Sequence, residues 1–214
     1  MYKPVAEGND VEINALLKLY RKFYYIIGTV ILLVGVTLIP LIPRLIDGTY
    51  PYDINLYALY LVYLSNTVLS YFLFAYKTSI LNAFQRSDIE SNLTTLINTG
   101  MYILQIITLI VFRNYYLYIV WLPVATIVIN IVRSHIVDKQ YPAIRCAGEV
   151  SQGVKQDIFK RVGALIGHQL SGTVNCSLDN IVVSAFLGLK VVAQYGNYYY
   201  VVSALSGVMQ VTFN

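Results

Sequence analysis

Residues 24–43 read YYIIGTVILLVGVTLIPLIP and contain no charged side chain. A helix rises 1.5 Å per residue, so about 20 residues cross the roughly 30 Å of hydrocarbon in a bilayer. The block 26–34 lacks the period-two alternation of an outer-membrane barrel strand. Lipid offers backbone N–H and C=O groups no partner, so a crossing segment satisfies them internally, as a helix. The stretch predicts a transmembrane helix, and the rest of the chain is read outward from it.

Five further stretches are nearly free of charge: 54–76, 91–112, 114–132, 162–189 and 191–214. Across all six the single Asp, Glu, Lys or Arg is Asp179. The whole chain of 214 residues has only 15 Lys and Arg and 11 Asp and Glu, 12% in all. A soluble domain carries about 25%. Mean hydropathy is +0.61. This composition excludes disorder, a collagen repeat, a disulfide-rich scaffold and a nucleic-acid-binding domain; the net charge of +4 matters less than where the charges sit. The fold expected is an all-α polytopic membrane bundle of about six transmembrane helices.

Orientation follows from Lys and Arg. Alternate connecting segments hold Lys3, Lys18, Arg21 and Lys22, then Lys77 and Arg86, then Arg133, Lys139, Arg145, Lys155, Lys160 and Arg161. The opposite segments hold only Arg44, Arg113 and Lys190. By the positive-inside bias the N-terminus is expected to be cytoplasmic. Tyr50, Pro51 and Tyr52, with Tyr115, Tyr116 and Tyr118, suit an aromatic belt at the outer interface.

Residues 1–23 form a cytoplasmic segment. Within it, 10–23 places Val11, Ala15 and Leu19 at spacing four beside Ile13, Leu16 and Leu17, an amphipathic helix lying at the inner leaflet and running into the first span. Residues 24–132 carry four spans. Residues 133–161 are a polar cytoplasmic loop, broken at Tyr141-Pro142, with a short helix over 156–162. Residues 162–214 carry two more spans. The last run ends without a charged flank, so the chain is expected to be part of a longer one.

Polar side chains inside spans report what faces the protein interior or a water-filled path. In the fifth span His168, Ser171, Gly172, Asn175 and Asp179 share a face. An ionised, unpaired carboxylate there costs a few kcal/mol. Asp179 therefore marks a proton, cation or polar-substrate contact, or else it caps locally near the outer end of a tilted helix. His168 is read either as part of the same path or as a hydrogen-bonded packing residue. Fainter stripes are Tyr60, Tyr63, Thr67, Ser70 and Lys77 on the second span, and Thr94, Asn98, Tyr102, Gln105 and Thr108 on the third. Gln194, Asn197 and Tyr198 begin one on the sixth. Any single residue is accounted for by an interhelical hydrogen bond, worth about 0.6 kcal/mol on average. Four stripes together point to a polar cavity, whose candidate pathway residues are Asp179, Asn175, His168, Asn197, Gln194, Asn98, Gln105 and Lys77. Gly163, Gly167 and Ser171 form a close-packing ridge, and Pro123 predicts a kink in the fourth span.

Cys146 and Cys176 support neither a disulfide nor a metal site. Phosphate-loop, HExxH and GxSxG patterns are absent, and the outer segments hold only Asp47 and Asp53 as acids, so an enzyme is not expected.

The run YKPVAE at 2–7, followed by Asp10 and Ile13, resembles an inner loop of bacterial polysaccharide repeat-unit flippases. DNIVVSAFLGL at 179–189 with YGNYY at 195–199 is similar to two later spans of that family, and AFQR at 83–86 and Tyr141-Pro142 fall where its inner loops carry similar residues. The resemblance covers nearly the whole chain. It implies the multidrug/oligosaccharidyl-lipid/polysaccharide exporter superfamily, with two six-helix lobes around a central cavity. The implied cargo is an undecaprenyl-pyrophosphate-linked oligosaccharide, flipped across the bacterial cytoplasmic membrane for O-antigen or capsule. No bound cofactor is implied; an H+ or Na+ gradient would drive alternating access. Implied partners are membrane lipids, a polysaccharide polymerase and chain-length proteins, with no nucleic acid. Members run to about twice this length, so the chain would correspond to spans three to eight. The competing readings are a small-molecule cation antiporter of the same superfamily and a non-transporting membrane subunit.

Overall fold

Asparagine starts two of the helices, and this fixes how the bundle is threaded. In the computed structural model, which describes residues 1–42, 55–156, 158–160, 162, 163, 182 and 188–213, the Asn55 side chain accepts from Tyr57 N at 3.0 Å and Ala58 N at 3.3 Å. The Asn114 side chain accepts from Tyr116 N at 2.9 Å and Leu117 N at 3.3 Å. Each cap satisfies amide groups that have no partner in the first turn, worth about 1 kcal/mol. The Asn55 amide also donates to the Tyr116 hydroxyl, so both helices begin at the same end of the bundle.

All regular elements among the described residues are helices. In chain order they are α1 (Tyr2–Ala6), α2 (Asp10–Leu38), α3 (Leu56–Phe72), α4 (Thr78–Ala83), α5 (Ser87–Val111), α6 (Tyr115–Gln140) and α7 (Leu189–Phe213). Short 3-10 turns follow α2 at Ile39–Leu41 and precede α4 at Ala75–Lys77. The chain divides into two compact units: Met1–Thr37 with Asn55–Lys155, and Leu38–Ile54 with Gln156–Asn214.

The first unit is an up-down-up-down bundle. α3 returns along α2: the Tyr60 hydroxyl donates to the Gly35 carbonyl at 2.7 Å, and the Tyr25 and Phe72 rings lie 5.4 Å apart. α5 and α6 run antiparallel, joined by Trp121 Nε1 donating to Thr108 Oγ1 at 3.0 Å. α3 and α6 run parallel. Residues near 10–23, 75–88 and 133–150 therefore gather at one end, where a small core of Ile13, Leu17, Tyr76, Ile80, Leu81, Val137 and Ile144 forms. Elsewhere apolar side chains point outward, among them Val30, Leu33, Ile106 and Ile110. A water-soluble surface does not carry so much contiguous apolar area.

Among the described residues three helices are long and apolar enough to cross a membrane: Asp10–Leu41, Ser87–Val111 and Tyr115–Gln140. A fourth follows if Leu56–Phe72 and Ala75–Ala83, bent by 50°, form one span. α7 has span length, 25 residues, but Gln194, Asn197 and its tyrosines leave it outside that set. Most of the fifth expected span, with its Gly163–Gly167–Ser171 ridge, and the segment 44–53, expected to lie outside, are not among the described residues.

Several sequence expectations take a different form. The helix expected over 10–23 is continuous with the first span, yet its buried side is Ile13, Ala15, Leu16 and Leu17 while Val11 is exposed. That side packs on protein, because α4 and the segment after α6 cover it before lipid can. The second stretch is broken rather than straight. α6 continues beyond the expected span end at 132 to Gln140, so Arg133, Ser134 and Asp138 are helical instead of opening a loop. The segment after α6 folds back: Asn14 donates to the Ala143 carbonyl at 3.5 Å and accepts from the Arg145 amide at 2.6 Å.

Candidate functional site

The break between α3 and α4 positions the site. α3 ends at Leu73, whose amide still bonds to Leu69 at 3.0 Å, and Phe74 then turns left-handed with φ 54°. A side-chain-bearing residue in that region costs about 1–3 kcal/mol and persists only where its surroundings hold it. Here the Lys77 amide donates to the Phe74 carbonyl at 2.9 Å, and the Lys77 ammonium stands 5.4 Å over the Phe74 ring. Beyond the break Tyr76, Ile80, Leu81 and Ala83 are buried.

The turn aims Lys77 at α6. Its ammonium donates to Ser134 Oγ at 2.8 Å and to the two Asp138 oxygens at 2.6 and 2.7 Å. Lys77 is nearly enclosed, whereas the Asp138 side chain remains 58% exposed, so the pair sits at the rim of the bundle.

A second pair lies deeper. Arg133 Nε donates to Glu90 Oε2 at 2.6 Å and Nη2 donates to Glu90 Oε1, a two-pronged geometry suited to guanidinium. Arg133 Nη1 donates to Asn130 Oδ1 at 2.6 Å, and Thr94 Oγ1 donates to Glu90 at 3.4 Å. The chain of bonds continues inward: Asn130 Nδ2 donates to the Thr126 carbonyl at 2.8 Å, and Thr126 Oγ1 donates to Asn66 Oδ1 on α3 at 2.6 Å. Three helices are thus joined by one polar column. Among the described residues no buried side-chain nitrogen or oxygen lacks a partner. Nor do three His, Cys, Asp or Glu side chains converge there as metal ligands would.

Of the residues expected from sequence, Thr94 joins this column through Glu90, whereas Lys77 belongs to the separate pair at the rim. Gln105 is buried but binds α5 to α6, donating to the Tyr118 carbonyl at 3.1 Å. Asn98 is half-buried on α5, and Gln194 and Asn197 are exposed on α7. Thr67 and Ser70 donate to carbonyls of their own helix. Asp179, Asn175 and His168 lie outside the described residues. Sequence reasoning missed Asn66, Glu90, Thr126, Asn130, Arg133, Ser134 and Asp138. The signal was present: 126, 130, 133, 134 and 138 recur at helical spacing, but Arg133 and Asp138 were read as a polar flank. No family model, curated protein or solved structure matches the chain.

Proposed function

We propose that the chain acts as a flippase, translocating undecaprenyl-pyrophosphate-linked oligosaccharide repeat units across a bacterial cytoplasmic membrane for O-antigen or capsule synthesis. The observation that carries the reading is the polar column of Asn66, Thr126, Asn130, Arg133 and Glu90 beside a broken helix. Charged groups inside an apolar bundle are expensive, and in membranes they mark transport paths and their gates. The resemblance carried by YKPVAE and by DNIVVSAFLGL with YGNYY supplies the cargo class. In this reading 162–189 and 191–214 complete six spans, the N-terminus is cytoplasmic, and Asp179, Asn175 and His168 face the path from the fifth.

The paired acids favour this reading over a cation antiporter. Glu90 and Asp138 are already neutralised by Arg133 and Lys77, leaving neither carboxylate open to a cationic substrate. Complementation tests the proposal. A strain lacking the gene should lose surface polysaccharide and regain it with the wild-type gene, while Asp179→Asn and Asn175→Ala, present at normal levels, should not restore it. Full restoration by both variants would favour a non-transporting subunit.

A further inference from the structure

The bases at the core end of the first unit divide into two groups. Lys3, Lys77, Arg86 and Arg133 are each tied to a carboxylate, of Glu7, Asp138, Asp88 and Glu90 respectively. Lys18, Arg21, Lys22 and Arg145 are exposed and form no ion pair among the described residues. Positive charge that the fold leaves uncompensated in one place is open to an anion from outside the chain.

Three of these four come from one helix, and the fourth is brought to it. Lys18, Arg21 and Lys22 recur at spacings of three and four on α2, so they share a side of it. The Arg21 guanidinium stands 5.5 Å over the Tyr25 ring, one turn further along. Arg145 is placed beside them by Asn14, one turn before Lys18, whose side chain accepts from the Arg145 amide at 2.6 Å. The next residue, Cys146, hydrogen-bonds to Tyr76 and lies within electrostatic reach of Arg21. Acids stand further off. Asp10 and Glu12 precede Lys18 by six residues or more, about 9 Å of helix rise. Glu149 lies beyond Gly148, which turns at φ 84° across Ala15 and Val11.

What adjoins the cluster decides the kind of anion. The same side of α2 runs on through Ile26, Thr29, Leu33 and Val36, all exposed and uncharged. Lys22 is two residues from the charge-free stretch that starts at Tyr24, so the bases stand at headgroup depth and the apolar side chains at acyl depth. A free phosphate would use only the bases. An anionic phospholipid matches both, and clusters of Lys and Arg flanking a span are where such headgroups bind.

We infer that Lys18, Arg21, Lys22 and Arg145 form a binding site for the headgroup of an anionic phospholipid, whose acyl chains lie along Ile26, Thr29 and Leu33. Asn14 is its positioning residue. The site shares no side chain with the polar column of Asn66, Thr126, Asn130, Arg133 and Glu90, so it serves a resident lipid and does not depend on the cargo.

Thermal unfolding of the detergent-solubilised full chain tests the site, because a ligand of the folded state raises the melting temperature as its concentration rises. The chain is titrated with phosphatidylglycerol or with phosphatidylcholine of the same acyl chains. Phosphatidylglycerol should bind about tenfold more tightly. Lys18→Gln, Arg21→Gln and Lys22→Gln together should abolish that preference and leave phosphatidylcholine binding unchanged. Lys139→Gln, Lys155→Gln and Lys160→Gln together, which remove the same charge elsewhere, should keep it. Arg145→Gln and Asn14→Ala should each weaken phosphatidylglycerol binding about fivefold, the effect of one basic side chain at an anionic headgroup. Equal binding of the two lipids by the wild-type chain would overturn the inference, as would equal losses in the two triple variants. So would full stabilisation by inorganic phosphate at the same concentration, or tighter binding of undecaprenyl phosphate than of phosphatidylglycerol. Each variant is compared with itself without lipid, and the wild-type comparison decides even where a variant fails to accumulate.

Discussion

Arg133 and Lys77 are both cations tied to a carboxylate, but their surroundings set different expectations. Arg133 and Glu90 are 9% and 23% exposed, so removing either leaves the other charge enclosed. Arg133→Met should lower stability by about 3 kcal/mol, and pairing it with Glu90→Met should recover most of that loss. Thermal unfolding of the detergent-solubilised variants measures both. Asp138 is 58% exposed but its partner Lys77 only 11%, so Asp138→Asn leaves a nearly enclosed ammonium with the Ser134 hydroxyl and an amide oxygen as acceptors. That variant should cost about 2 kcal/mol in the same assay, less than Arg133→Met because those acceptors remain. Gln85 offers a change of opposite sign. It sits at φ 57° after α4, where Arg86 N bonds to the Leu81 carbonyl at 2.7 Å and Gln85 N to the Asn82 carbonyl at 3.1 Å. This is a helix end that usually takes glycine. Gln85→Gly should therefore raise the unfolding temperature, by about 1 kcal/mol of stability.

At the level of elements, α2 and α3 approach closely because two glycines open the way. A Cβ at Gly35 would lie 2.3 Å from Leu64 Cδ1, and one at Gly28 would lie 3.0 Å from Phe72 Cε2. Gly35→Val should cost about 1–3 kcal/mol through overpacking, visible as reduced accumulation and an earlier melting transition. The helices themselves were legible because runs such as 24–43 leave lipid-exposed backbone no alternative. Their breaks were not. Phe74 stands where neither glycine nor proline signals a turn, and the left-handed backbone is imposed by what Lys77 and Ile80 find on α6 and α2. The site was half legible for a related reason. Lys77 stood out as a charge beside an apolar stretch, whereas Glu90, Arg133 and Asp138 read as ordinary hydrophilic flanks. Only the packing of α5 on α6 brings Glu90 and Arg133 together across 43 positions of sequence.

For the whole first unit, threading and charge agree. Lys18, Arg21, Lys77, Arg86, Arg133 and Arg145 belong to the end that holds the small core, while Arg113 stands at the other, beside Asn114. If the basic end faces the cytoplasm, Cys146 in a Cys176→Ser background should resist an impermeant maleimide until cells are permeabilised. A cysteine at Phe112, with both native cysteines replaced, should react in intact cells. The reverse pattern would invert the orientation.

The α5–α6 hairpin has a bearing on biogenesis. Only Phe112, Arg113 and Asn114 separate Val111 from Tyr115. So short a turn gives the insertion machinery no room to release one helix and hold back the other. Glu90 and Arg133 lie on opposite arms of that hairpin and already neutralise one another. The two arms are thus expected to leave the translocon together as a charge-balanced pair, and neither ion has to enter lipid alone.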